Sequence, residues 1–214
     1  MEKIQLHHTL PAVFAGREDN HSEIWLQEVE FVRGKHYLIS AESGTGKSSL
    51  CAYIYGYRVD YSGTFSFDGE DIRTLTIPQW CQIRKHHIAY LPQDLRLFPE
   101  LSAMENIRLK NRLTHHKSNS EILAYFEQLG IPEKVNSPVS KLSIGQQQRV
   151  AIIRTLCQPA DFILLDEPVS HLDATNNAIV AKMVTEEAAR QGAGIISTSV
   201  GNNVSITVDK EFKL

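Results

Sequence analysis

The chain has 214 residues, 42% hydrophobic and 22% charged, and its 22 basic and 25 acidic side chains leave a formal charge of −3. That describes one globular domain with room for a small subdomain, able to bury roughly 70% of its unfolded surface. It lacks the basic excess that binds nucleic acid. The apolar runs, such as Phe162-Ile163-Leu164-Leu165, fall far short of the about 20 residues that span a bilayer.

From the N-terminus, Met1-Glu2-Lys3-Ile4 lacks the basic flank and apolar stretch of a signal peptide. Tyr37-Leu38-Ile39 reads as a buried strand, followed at once by Ala41-Glu42-Ser43-Gly44-Thr45-Gly46-Lys47-Ser48 and a helical pattern through Leu50, Tyr53 and Ile54. Strand, small-residue turn and helix in that order form a phosphate-binding loop. Its backbone N–H groups and the helix N-terminus face an anion. Lys47 is then placed for the β- and γ-phosphates, and the Ser48 hydroxyl for Mg²⁺. Ala41 stands at the position of the first glycine, which is tolerated where φ is negative.

Tyr61 to Ile72 alternates around Phe65 and Phe67 and turns at Asp68-Gly69, the pattern of a β-hairpin. The stretch from about Pro99 to Pro138 reads as helical. A further helix is expected from Ser143 through Val150, Ile153 and Cys157 to Ala160. Phe162 to Leu165 is a continuous apolar strand of the parallel type, ending in Asp166-Glu167-Pro168. Two carboxylates at the carboxyl end of such a strand suit phosphoryl transfer: Asp166 as a holder of Mg²⁺ and Glu167 as the group that polarises the attacking water. Alternation of strands and helices gives an α/β fold with a mainly parallel sheet. Cys51, Cys81 and Cys157 are odd in number and widely spaced, and read as reduced, buried thiols of a cytosolic protein. The pairs His7-His8, His86-His87 and His115-His116 diverge on either a strand or a helix, so no metal site is expected from them.

Between loop and acidic strand lies Leu142-Ser143-Ile144-Gly145-Gln146-Gln147-Gln148-Arg149, which resembles the LSGGQ signature of the ATP-binding cassette (ABC) ATPases. Leu91-Pro92-Gln93 is similar to that family's Q-loop, and Ser170-His171-Leu172-Asp173 to its D-loop. The resemblance covers essentially all of residues 1–214 as a single cassette. It implies a P-loop core, an antiparallel β-subdomain holding the 61–72 hairpin, and an inserted helical subdomain over about 99–138. It further implies an ATPase using Mg²⁺, with Glu167, Gln93 and Lys47 catalytic and Ser48, Gln93 and Asp166 at the metal. ATP would be held by Phe14 against the adenine, by Ser43, Gly44, Thr45, Gly46, Lys47, Ser48 and Ser49, and by Ser143, Gly145 and Gln146 of a partner cassette.

The implied assembly is a head-to-tail homodimer or heterodimer of cassettes on separate membrane permease subunits at the cytoplasmic face. Two departures stand out. Ile144 replaces the first signature glycine, and Ser199 stands where the family has a histidine after its last buried strand. A shorter, neutral side chain there implies slow hydrolysis, since loss of one preorganised donor costs on the order of 10²–10³ in rate. His171 is a conceivable substitute donor. A non-transport, ATP-driven regulatory switch of a membrane or envelope complex is the alternative function. The tail after Ser199 lacks the family's usual helix and is expected to close with a strand pair around 204–214.

Overall fold

The computed structural model describes residues 1–16 and 22–214. An inner strand, β3 (His36–Ser40), carries the phosphate loop. β7 (Phe162–Asp166) and β8 (Gly194–Ser199) are buried at every residue, as strands covered on both faces must be. With β6 (Ile88–Leu91) and β9 (Lys210–Lys213) they form a parallel sheet in the order β6-β7-β8-β3-β9.

Alternation along β7 and β8 assigns each side chain to one of two cores. Ile163, Leu165 and Ile195 enter a core built with the helices of the C-terminal half. Phe162, Leu164 and Ile196 enter one shared with α1 (Lys47–Ile54) and with an antiparallel sheet. That second sheet comprises β1 (Lys3–Pro11), β2 (Glu28–Val32), β4 (Tyr61–Phe67) and β5 (Glu70–Asp71), in the order β2-β1-β4-β5. The β4–β5 hairpin turns at Asp68 and Gly69, both at positive φ, as the sequence predicts.

The helices start where the sequence caps them. After α2 (Ile77–His86) come α3 (Ala103–Asn111) and α4 (Asn119–Gln128). Capping boxes Thr76/Gln79, Ser102/Glu105 and Ser118/Glu121 open them, each pairing two otherwise orphaned N–H groups. Thus α3 and α4 occupy the predicted helical stretch, and an isolated antiparallel bridge joins Ser102 to Pro138 near its ends. α5 (Ile144–Leu156) is capped by Ser143 and α6 (Ala174–Gln191) by Asp173.

Three expectations need correcting. α5 stops at Leu156 instead of Ala160, because Pro159 disfavours helical geometry in the residue before it. The Gln158 amide meanwhile donates to the Ile88 carbonyl at 3.0 Å. The tail forms one strand, β9, rather than a pair. Residues 200–209 form no strand and bury Val204 against the helical core. Cys81 is exposed, since α2 buries none of its residues; Cys51 and Cys157 are buried.

Candidate functional site

The turn after β3 shows why its residues are small. Gly44 and Gly46 sit at φ +84° and +105°, where a side chain is strained, whereas Ala41 is not among the described residues with positive φ. The alanine methyl at the first-glycine position therefore costs nothing. A Cβ at Gly46 would also lie 2.9 Å from the Phe14 ring and 3.1 Å from that of Trp25. The Trp25 indole N–H donates to the Thr45 carbonyl at 3.1 Å, and the Thr45 hydroxyl to the Glu42 carbonyl at 2.9 Å. Lys47 is buried, its ammonium on the loop's own carbonyls: Glu42 at 2.7 Å and Ala41 at 3.4 Å.

Opposite the loop, β7 delivers its carboxylates. Asp166 is buried, and burial raises its pKa, opposed by hydrogen bonds from Thr198 and Ser48 and by the charge of Lys47. The Thr198 hydroxyl donates to Asp166 Oδ1 at 2.7 Å, because Thr198 lies directly across the β7–β8 ladder. Glu167 follows at φ +51°, a left-handed conformation that costs a non-glycine residue on the order of 1–3 kcal/mol. Its N–H donates to Thr198 Oγ1 at 3.2 Å, and its carbonyl accepts from Gln148 Nε2 at 3.2 Å. Gln93 spans the site: its Oε1 accepts from the Ser48 hydroxyl at 3.4 Å, and its Nε2 donates to Glu167 Oε2 at 3.2 Å.

One cleft of about 330 Å³ collects most of the residues picked from the sequence: Phe14, Ser43, Gly44, Gly46, Lys47, Ser48, Ser49, Gln93 and Glu167. Thr45 lies in the same loop, and Asp166 beside Glu167 at the strand end. Ser143, Gly145 and Gln146 lie outside the cleft, at the start of α5, where Ser143 is exposed. There Ser143 and Gln146 are bound to each other: Gln146 Oε1 accepts from the Ser143 N–H at 3.0 Å and Ser143 Oγ from the Gln146 N–H at 3.3 Å. Ile144 is half-exposed and so obstructs nothing within its own chain. Gly145 is required internally, as a Cβ there would sit 2.9 Å from the His171 carbonyl oxygen.

Ser199 ends β8 with its hydroxyl buried and without a hydrogen-bond partner, while its carbonyl accepts the Ala41 N–H at 3.2 Å. The His171 ring is hydrogen-bonded to Ser170 Oγ at 2.9 Å. Trp25, Thr198 and Gln148 also belong to the site, although sequence reasoning gave them no role. Gln148 alone left a trace, as a polar residue amid the apolar spacing of α5.

A phosphate-binding turn on an inner parallel strand, facing acidic residues at the end of a second, defines a P-loop nucleoside triphosphatase. A family model described as "ABC transporter" matches residues 27–170. The lipoprotein-releasing system ATP-binding protein LolD of Shewanella denitrificans is 30% identical over 188 residues, spanning 85% of this chain and 79% of LolD. The macrolide export ATP-binding/permease protein MacB of Mannheimia succiniciproducens is 32% identical over 190 residues, 87% of this chain but 29% of MacB. The dimeric bacterial ABC transporter cassette MJ0796 superposes with a TM-score of 0.83 at 24% identity, covering 99% of this chain and 94% of that one. The chain belongs to the ABC transporter family, as an ATP-binding ATPase subunit of it. None of its described helices is long and apolar enough to cross a membrane.

Proposed function

We propose that residues 1–214 are a single cassette whose ATP-driven dimer closure powers separate permease subunits at the cytoplasmic face of a membrane. The observation that carries this reading is the Ser48–Gln93–Glu167 chain, which links the phosphate loop to the acidic strand end across one cleft.

Within that cleft the loop N–H groups and the start of α1 bind the phosphates, and Lys47 moves from its loop carbonyls to the β- and γ-phosphates. Phe14 lines the cleft beside the loop, where it can cover the base. Glu167 orients the attacking water and Gln93 holds it in line. The oxygen donors Ser48, Gln93 and Asp166 fit Mg²⁺, which favours hard oxygen ligands and takes only one or two carboxylates besides phosphate. Asp166, drawn by burial towards the neutral form, gains a counter-charge when the cation is present. Ser48, Gln93 and Asp166 would hold the cation, whose charge would offset that developing on the phosphates.

Ser143, Gly145 and Gln146 are exposed or half-buried outside the cleft, which suits contact with the nucleotide of a second cassette, either another copy or a different one. MJ0796 is described as dimeric, and was also solved in a post-hydrolysis state bound to ADP and Pi. LolD is named for releasing lipoproteins and MacB for export, which supports outward movement by the complex this chain serves.

Hydrolysis is slow in this reading. No imidazole follows β8, the Ser199 hydroxyl is buried and unpartnered, and the His171 ring is bonded to its own neighbour. The same feature favours a second reading, an ATP-timed switch regulating a membrane complex without transport. Steady-state phosphate release from the purified chain tests the rate. A turnover near the enzyme median of about 10 s⁻¹ would overturn slow hydrolysis. Ser199→His should raise the rate by at least about tenfold if the missing donor is the cause. ATP-dependent movement of a substrate across vesicles carrying this chain with its membrane partner separates transport from a switch that binds a membrane complex without transporting.

A further inference from the structure

Glu167 sits in a left-handed conformation that its own side chain does not favour, so its pose depends on what holds its backbone. Its N–H rests on Thr198 Oγ1. Its carbonyl accepts from Nε2 of Gln148, a residue 1% exposed on α5, and the same amide nitrogen lies 3.4 Å from Ser170 Oγ. Gln148 Oε1 in turn accepts the His171 N–H at 3.0 Å. One buried amide therefore fastens both ends of the segment 167–171 to α5. Gly145, one turn earlier on that helix, abuts the His171 carbonyl so closely that no side chain would fit. A third hold comes from outside α5: Asn202 Nδ2 donates to the Val169 carbonyl at 2.9 Å, from the loop that follows β8.

We propose that Gln148 is a positioning residue that makes the pose of Glu167 depend on α5, so that each nucleotide site senses whether the other is filled. The inference rests on the head-to-tail reading above. In that arrangement the first turn of α5 touches the partner's nucleotide, while Glu167 acts on the chain's own. A shift of α5 on engaging the far nucleotide moves the Gln148 amide, and with it the carbonyl of Glu167. Since a displacement of about 1 Å costs on the order of 10²-fold in rate, the transmitted movement need only be small. Asn202 holds the same segment by a hydrogen bond from the loop after β8, not from α5, and so supports Glu167 without carrying the signal.

The test compares three variants of the purified full chain by ATP dependence of phosphate release, in single and multiple turnover. Gln148→Met keeps length and burial but removes both hydrogen bonds. Gln148→Glu keeps the acceptor for the His171 N–H and removes the donor to Glu167. Both should lower kcat by about 10- to 10²-fold. Both should also bring the Hill coefficient from about 2 towards 1, leaving the half-saturating ATP concentration within about twofold. Asn202→Ala should lower kcat with the Hill coefficient unchanged.

A wild-type Hill coefficient of 1, or an unchanged one in Gln148→Met or Gln148→Glu, overturns the proposal. So does a loss of cooperativity in Asn202→Ala equal to that in Gln148→Met. Size-exclusion of the Glu167→Gln chain with ATP, with and without Gln148→Met, keeps the outcomes apart. Absence of any ATP-dependent dimer in Glu167→Gln alone defeats the head-to-tail pairing of this chain with a second copy of itself, and the inference with it. A dimer in both shows that the Gln148 variant folds and that its α5 still engages nucleotide.

Discussion

Two buried carboxylates in different regions of the molecule receive opposite treatment. Glu187, on α6 beneath the helical subdomain, is saturated: Lys117 Nζ at 2.7 Å, Tyr125 OH at 2.9 Å, His116 Nε2 at 3.0 Å and Gln191 Nε2 at 2.6 Å all donate to it, and Arg190 does so as well. Asp166, at the end of β7, is almost as buried, yet its bonds come from the Thr198 and Ser48 hydroxyls. A buried charge is stable only with matched partners. Glu187 has them and serves as a rivet between α6 and the α4 region. Asp166 has the nearby charge of Lys47 but no ion pair among the described residues, a deficit that suits the Mg²⁺ site proposed for it.

The contrast predicts opposite signs of stability change on neutralisation. Glu187→Ala leaves Lys117 and Arg190 without their buried counter-charge and should cost about 3–5 kcal/mol in denaturant unfolding. The paired change Lys117→Met with Glu187→Leu should recover part of that loss, since it removes the buried charge pair but still leaves Tyr125, His116 and Gln191 without their acceptor. A cost below about 0.5 kcal/mol for Glu187→Ala, the range of ordinary surface changes, would break the comparison. Asp166→Asn should do the reverse, stabilising the nucleotide-free chain by about 1 kcal/mol while lowering ATP turnover on the order of 10²-fold or more. Destabilisation by Asp166→Asn would show that the carboxylate is structural.

How far the sequence discloses these two regions differs for the same reason. The site around Asp166 is written in local patterns: a small-residue loop between strand and helix, and an apolar run ending in two carboxylates. Backbone geometry demands those residue types, so short stretches suffice. The phosphate loop, the buried strand, the hairpin and the Ser143 cap all follow from such stretches. Glu187 reads in sequence as half of an exposed Glu-Glu pair, because its donor Lys117 lies 70 residues away. Gln148 is similar: its bond to Glu167 crosses 19 residues and exists only once α5 lies against the end of β7. Trp25 reaches the Thr45 carbonyl across 20 residues, so nothing near the loop announces it. Cys81 fails in the other direction: its neighbours Trp80 and Ile83 pack α2 against the core, while Cys81 is left exposed.

Titration sharpens the contrast at Asp166. Burial raises its folded-state pKa above the unfolded value of about 3.9, so the folded chain holds this proton more tightly than the unfolded one. The charged form therefore costs stability at neutral pH, and the cost is relieved as pH falls through the folded pKa. The stability advantage of Asp166→Asn over wild type should accordingly shrink as pH is lowered towards 4. A gap that stays constant with pH would mean that shape, not charge, separates the two proteins.

The smallest effect belongs to His116, at the edge of the Glu187 cluster. Burial, then the charges of Lys117 and Arg190, lower its pKa from the ordinary histidine value, against a weaker opposing pull from Glu121. The sign here is the reverse of that at Asp166. The unfolded chain takes up a proton near pH 6.5 and the folded chain only at lower pH, so stability is complete above 6.5 and drains away in the window beneath it. His116→Gln keeps a polar side chain at the position and removes the titration. Urea midpoints measured between pH 7.5 and 5 should therefore fall more steeply for wild type than for His116→Gln. Parallel slopes would place the acid sensitivity of this half of the molecule elsewhere. They would leave the Lys117–Glu187 pair to hold α6 to the helical subdomain without a histidine's help.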